Sequence, residues 1–338
     1  MSGEAGQYAV LLLAHGTPDV LGEMAEYLGK VTGGRTLPQE VIKELQHRYA
    51  QIGLGETPAA EPPPLTKWTL IQANLLERAL DRAGDSNTRV YAAMRNWHPY
   101  IADVISQMRL DGVTHIKAIC LAPQNSRTSV GLYRKAVLAA SIGLEVDFVA
   151  GWAEHPLLAQ AFAERLWPVW ALACAQSGRR VPVLFTAHSV PCRTVMTGGT
   201  PVYPSPDPYP VEAKRTAALV AERMAVVGFG EKDWHFAFQS QGVSGGPWIG
   251  PTVEDTLKAI KEEGHVGVVI QPIGFLCDHV EILYDIDIAF AEKAGELGLK
   301  LWRAESLNDS DTLVSALAEI ASDRYKIHVG ESWVPARV

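Results

Sequence analysis

The sequence predicts an α/β protein of two similar halves, each a parallel sheet flanked by helices. Three observations predict it. Short apolar runs recur along the 338 residues, and helical patterns alternate with them. The runs fall into two sets that meet near Gly151–Pro156. Five of the runs end in polar, glycine and proline residues, where ligands of such sheets usually bind.

In chain order, Tyr8–Ala14, Arg89–Met94, Ile116–Ala122 and Leu144–Ala150 are the first set. They are short, apolar and uninterrupted, as strands buried on both faces are. Lys67–Ala83 and Pro99–Leu110 are amphipathic helices between them. Pro156–Ala175 leads into the second set: Val181–Thr186, Trp234–Gln239, Val266–Pro272 and a candidate fourth strand, Leu299–Ala304. Pro210–Val226 and Val253–Glu263 are the helices of that half. The expected domains are 7–152, 153–320 and a tail, 321–338. Gly53–Pro64 and Met196–Pro210 are long loops, read either as lids or as surface excursions.

Composition excludes several classes. Hydrophobic residues make up 47% and charged residues 20%, enough for a full core. A net charge of -8 argues against nucleic-acid binding. Cys120, Cys174, Cys192 and Cys277 lie far apart, which fits reduced thiols rather than disulfides or a cysteine-ligated cluster. Signal-peptide features are lacking, and the apolar runs fall far short of the ~20 residues of a membrane span. A cytoplasmic protein is expected.

The strand ends carry the chemistry. They are His15-Gly16-Thr17-Pro18, Pro123-Gln124-Asn125-Ser126, His188-Ser189-Val190-Pro191, Gln239-Ser240-Gln241-Gly242 and Pro272–Glu281. If a helix begins at Asp278, Glu281 and Asp285 share one face and suit a divalent cation or a proton relay. The alternative is an ordinary helix with Asp278 as N-cap and Glu281 as its partner. His188 and Glu281 facing across a crevice would make a proton acceptor and donor pair, or two metal ligands. On such a helix His279 lies about 200° from Glu281 and serves the helix–sheet junction. Gly16 lacks the companions of a phosphate loop, so nucleotide binding is not expected. Trp97, Tyr100, Tyr133, Tyr203, Tyr209 and Trp248 are either rim packing or a wall for a large planar ligand.

Taken in order, several segments resemble the ferrochelatases, which insert ferrous iron into a porphyrin. They are Leu11–Pro18, Arg48–Gly53, Met94–Pro99, Leu121–Ser126 with Tyr133, Ala187–Pro191, Asp207–Pro210, Phe238–Ser240 with Pro247–Pro251, and Pro272–Asp287. The resemblance implies two Rossmann-like halves with the porphyrin cleft between them. It implies His188 and Glu281 as the catalytic pair across the porphyrin plane, with neutral His188 as base and Asp285 joining them as a metal-guiding residue. It implies porphyrin contacts from His15, Thr17, Pro18, Ser126, Tyr133, Ser189, Gln239 and Trp248. The implied partners are porphyrin and Fe²⁺, both substrates, and in transient contact the neighbouring enzymes of haem synthesis. No permanently bound cofactor is implied. Cluster-bearing relatives place ligands largely in the C-terminal tail, which here lacks cysteine, so no iron–sulfur cluster is expected.

The chain departs from the family in three places. Ile52-Gly53 runs into a longer, Pro-rich loop without the usual serine. The acidic ladder ends at Ala289, where many members have a third carboxylate, with Glu292 as a candidate replacement. His15 replaces the usual Tyr or Met, and is read either as an axial iron ligand or as a hydrogen-bonded loop residue. The charged stretch Lys30, Arg35, Glu40, Lys43, Glu44, Arg48 favours coproporphyrin III, a tetra-acid, over protoporphyrin IX. The rivals are a non-catalytic tetrapyrrole carrier, a cobalt chelatase acting on a corrin precursor, and a structural α/β protein.

Overall fold

A computed structural model describes residues 7–196, 205–242 and 246–323. Most of the Met196–Pro210 loop, Tyr203 and most of the expected tail lie outside these residues.

The first half comprises β1 (Gln7–Ala14), α1 (Met24–Val31), α2 (Gln39–Gln51), α3 (Pro64–Arg82), β2 (Arg89–Met94), α4 (Ile101–Leu110), β3 (Val113–Cys120), α5 (Val130–Ala140) and β4 (Glu145–Val149). Helix α6 (Pro156–Ser177) leads into the second half. There follow β5 (Val183–His188), α7 (Cys192–Met196), α8 (Tyr209–Met224), β6 (Trp234–Gln239), α9 (Val253–Glu262) and β7 (Gly267–Pro272). The chain then forms α10 (Val280–Leu283), a π-helical turn at Asp285–Phe290, α11 (Ala291–Glu296), β8 (Lys300–Arg303) and α12 (Asp311–Ala321).

All strand pairs are parallel, ordered β2-β1-β3-β4 and β6-β5-β7-β8. The two sheets thus share one topology. In each, the chain departs to opposite sides of the first strand, and the carboxyl ends of β1/β3 and β5/β7 become switch-point crevices. The central strands are buried along most of their length, as their apolar runs require: Ala9 to Leu13 and Val183 to Leu184 are 0% exposed.

One core joins the halves. Val10, Leu12 and Leu76 pack in the same cluster as Phe162, Phe185 and Leu317. A smaller cluster of Met24, Tyr27, Leu28, Ile42, Tyr49 and Trp97 roofs the first crevice, and Val280 of the second half packs against it. The loop after β3 is clamped to the second half by backbone amides. Asn125 donates to Glu212 at 2.6 Å and Arg127 to Asp207 at 2.9 Å. Burial lifts the Glu212 carboxyl to about 7.

Candidate active site

His188 is the last residue of β5, paired with Gln239 of β6. Its Nδ1–H donates to the Ser189 carbonyl, which turns Nε2 towards Glu281 Oε1, 3.4 Å away. The Tyr209 hydroxyl donates to the His188 carbonyl at 2.8 Å. Trp248 and Phe275 flank the imidazole, each with ring centroid 6.5 Å from it.

Glu281 reaches this position because the chain leaving β7 crosses the end of β5. That crossing requires glycine: a Cβ on Gly274 would lie 3.0 Å from the Ala187 side chain and 3.1 Å from its backbone. Gln239 Nε2 then donates to the Glu281 carbonyl at 2.7 Å, tying α10 to β6.

Electrostatics make the two a charged pair. Burial works to lower the His188 pKa, but the charge and hydrogen bond of Glu281 outweigh it, and the Ser189 carbonyl adds to them, lifting it to about 9. Burial pushes Glu281 up, yet His188 and His279 hold it well below the usual carboxylate range. At neutral pH the resting form is therefore imidazolium and carboxylate. This corrects the expected neutral His188. As they stand, 3.4 Å apart, the two side chains leave no room for a flat ligand between them.

The helix start is corrected as well. The helix begins at Val280, not Asp278, and His279 stands before it with extended backbone, φ -163° and ψ -176°. The helical angle that turned His279 away from Glu281 therefore does not apply. Its Nδ1–H donates to the Cys277 carbonyl at 2.9 Å, and Nε2 lies 3.5 Å from Glu281 Oε2. Glu281 is bracketed by two imidazoles. Asp278 is no cap either: its carboxylate accepts from Ser306, Arg303 and Asn308.

Asp285 lies beyond the junction where α10 gives way to π winding. The Ala289 N–H there reaches back to the Tyr284 carbonyl at 3.0 Å, five residues away. Ser240 donates to Asp285 Oδ2 at 2.5 Å, and Arg48 lies 3.8 Å from Oδ1. Burial, with Glu281 adding, raises Asp285 to about 6 against the pull of Ser240. Glu292 is exposed on α11. Among the described residues no group of three or more His, Cys, Asp and Glu side chains is set to hold a metal ion.

The other expected contacts separate into two kinds. Trp248 faces His188, and its loop includes 243–245, outside the described residues. His15 is committed elsewhere: Asn96 Nδ2 donates to Nε2 at 3.0 Å, and Nδ1 meets Gly16 O at 3.2 Å and Tyr27 Oη at 3.1 Å. Burial, then Arg95, lowers its pKa to about 4. A neutral ring with both nitrogens engaged is the hydrogen-bonded loop residue, not a ready axial ligand. Gly16 beside it has φ +91°, and a Cβ would meet the Trp97 backbone at 2.8 Å. Thr17 and Pro18 are buried in the same loop, with Thr17 bonded to Tyr49. Ser189 Oγ donates to Ile249 O at 2.8 Å, and Ser126 Oγ pairs with Thr128 at 3.0 Å. Tyr133 is buried under the Arg95 guanidinium, 5.6 Å from its ring. As they stand, these hydroxyls brace loops rather than face open space.

Sequence reasoning set His279 aside and missed Ser240 and Arg95 as members of the site. Ser240 carried one signal, its place beside Gln239 at a strand end. It occupies the left-handed region, φ 61°, which aims its hydroxyl at Asp285.

The family model and the curated relatives agree on one family, and the solved structures on the fold. A family model described as Ferrochelatase matches residues 7–325. A "Ferrochelatase" of Acidobacterium capsulatum is 55% identical over 97% of this chain and 98% of its own. A "Coproporphyrin III ferrochelatase" of Geobacillus kaustophilus is 31% identical over 94% of this chain and 95% of its own. Among solved structures, the sirohydrochlorin chelatase SirB of Bacillus subtilis subspecies spizizenii, in complex with cobalt, shares the fold. Its TM-score is 0.50 at 13% identity, over 94% of this chain and 96% of that one.

Proposed function

The chain belongs to the ferrochelatase family of metal chelatases, and we propose that its porphyrin is coproporphyrin III, giving Fe-coproporphyrin, with His188 and Glu281 as the catalytic pair. The observation that carries the substrate is the polar mouth. Every large hydrophobic side chain exposed among the described residues lies outside 20–65, the stretch that rims the first crevice. Beside it, Lys30, Arg95 and the N-terminus of α4, with Tyr100 and Asp103, line an open cavity of about 350 Å³. Two cations (Lys30 has Glu26 3.4 Å from it) and the N-terminus of a helix without a side-chain cap suit carboxylates, and a tetra-acid has more of them than a di-acid. Protoporphyrin IX is the competing substrate.

The chemistry follows from the pair. Fe²⁺ entry requires two pyrrole N–H protons to leave. His188 accepts a pyrrole proton only after passing on the one it holds; Glu281, in contact with both His188 and His279, relays each proton on to water, and a second cycle removes the second pyrrole proton. Asp285, beside Arg48, lies one turn along the chain from Glu281, so the cation would meet Asp285 and the His188–Glu281 pair separately rather than at once. Contacts to the macrocycle face, Trp248 among them, would hold it deformed with its lone pairs exposed. The reading includes no iron–sulfur cluster, and the two buried and two half-buried, widely spaced cysteines support that. It places the enzyme in the cytoplasm; among the described residues no helix is long and apolar enough to cross a membrane.

Anaerobic kcat/KM for Fe²⁺ insertion into each porphyrin tests the substrate. The expected result is a preference for coproporphyrin III of tenfold or more, about 1.4 kcal/mol. Equal values or a protoporphyrin preference would overturn it, and binding of either porphyrin without insertion would point to a carrier.

A further inference from the structure

Asn308 lies in the loop after β8, thirty residues from Asp278, yet it touches the turn that carries His279 and Glu281 at three atoms. Its side-chain oxygen accepts the Asp278 N–H at 2.9 Å, and its Nδ2 donates to Asp278 Oδ2 at 3.0 Å. Its backbone N–H donates to the Leu276 carbonyl at 2.9 Å. Its own carbonyl accepts from Gln72 Nε2 of the first half at 2.8 Å, and Gln72 is fully buried. These contacts need a left-handed backbone, φ 42°, which asparagine tolerates better than other residues with side chains. Ser306 and Arg303 fill the other Asp278 oxygen at 2.7 and 3.2 Å. Arg303, the last residue of β8, also grips Asp287, so β8 and the loop after it hold both ends of the segment that bears Glu281 and Asp285.

We propose that Asn308 is a positioning residue for metal insertion: paired with Asp278, it fixes the Leu276–His279 turn so that His279 and Glu281 meet His188, and it ties that turn to the first half through Gln72. The turn is held chiefly by side chains: Asn308, Ser306 and Arg303 on Asp278, and His279 on the Cys277 carbonyl. It precedes the helix, its backbone is extended at His279, and α10 begins without a side-chain cap. A small swing there moves the Glu281 carboxylate out of reach of Nε2, from a starting separation of 3.4 Å. The proposal rests on His188 and Glu281 being the catalytic pair.

Three variants test it: Asn308→Gly, which keeps the left-handed backbone and loses only the amide; Asp278→Asn; and the two-site swap of Asp278→Asn with Asn308→Asp. The swap keeps the hydrogen bond from the backbone N–H at 278 and restores the one between the two side chains with donor and acceptor exchanged. The expected result is a loss of kcat of roughly tenfold to a hundredfold in each single variant, the scale of a misplacement of about 1 Å. KM for the porphyrin should hold, and the swap should recover most of kcat. Unchanged kcat in a folded Asn308→Gly, a loss that falls on KM, or a swap no better than its parts would overturn the role. If Asn308→Gly does not fold, the swap against Asp278→Asn decides. An inactive wild type would instead sink the catalytic reading, whereas an active wild type with unaltered variants sinks only the positioning role.

Discussion

Replacing Glu281 with Gln should change His188 more than any other group. The carboxylate holds the His188 pKa at about 9 against burial, which alone would drive it below 6.5. A rise from 6.5 to about 9 corresponds to roughly 3 kcal/mol in favour of the charged ring. The side chains are 34% and 31% exposed, so screening by water leaves about 1–2 kcal/mol as the contribution to stability. The direction with pH follows from linkage. A raised histidine contributes fully below its unfolded value and loses the contribution as pH rises through about 9. A depressed carboxylate contributes above its unfolded value and loses the contribution as pH falls through its folded one. The pair is therefore worth most between about pH 4.5 and 6.5. Two measurements check this: the His188 Cε1–H titration by NMR, and urea midpoints of wild type and Glu281→Gln at pH 6 and pH 9.5. The variant should titrate below 6.5, and its stability deficit at pH 6 should shrink at pH 9.5. A His188 titration near 9 in the variant would refute the assignment of the shift to Glu281.

Further outcomes follow from the same geometry. Asp285→Asn should raise the urea midpoint above pH 6, because ionising this buried group costs stability there, with the gain vanishing below pH 4; metal insertion should slow. His15→Ala should leave the axial-ligand absorption or EPR signature of the product complex unchanged, while stability falls by about 1–3 kcal/mol as buried Asn96 loses its acceptor. Lys30→Ala and Arg95→Gln should raise KM for coproporphyrin III more than for protoporphyrin IX, measured side by side.

The sequence reading was strongest where a single physical rule dominates. Buried parallel strands are apolar on both faces, so Tyr8–Ala14 or Val266–Pro272 could be read within a residue of their ends. His188 and Glu281 could be picked out only through the resemblance to ferrochelatases, since polar residues at strand ends such as Ser126 and Ser189 also serve to brace loops. What could not be read depended on backbone conformation or on distance along the chain. The reading of His279 assumed a helix that starts at Asp278, but Asp278 is drawn into bonds with Ser306, Arg303 and Asn308, which leaves His279 extended. The π turn at Asp285–Phe290 has no pattern distinct from an α-helix over six residues. Loop hydroxyls such as Ser126 and Ser189 looked like ligand donors because their backbone-bracing partners, Thr128 and Ile249, are visible only in three dimensions. The roofing helices α1 and α2 were seen only as a charged stretch, since their inward residues, Tyr27, Ile42 and Tyr49, are thinly spaced.

The most direct test of the central claim is anaerobic insertion of Fe²⁺ into coproporphyrin III by wild type, His188→Ala and Glu281→Ala, followed by absorption. The account predicts an active wild type and a loss in each variant of about 10²-fold or more, the range of lost acid–base catalysis. Full activity in both variants would contradict it.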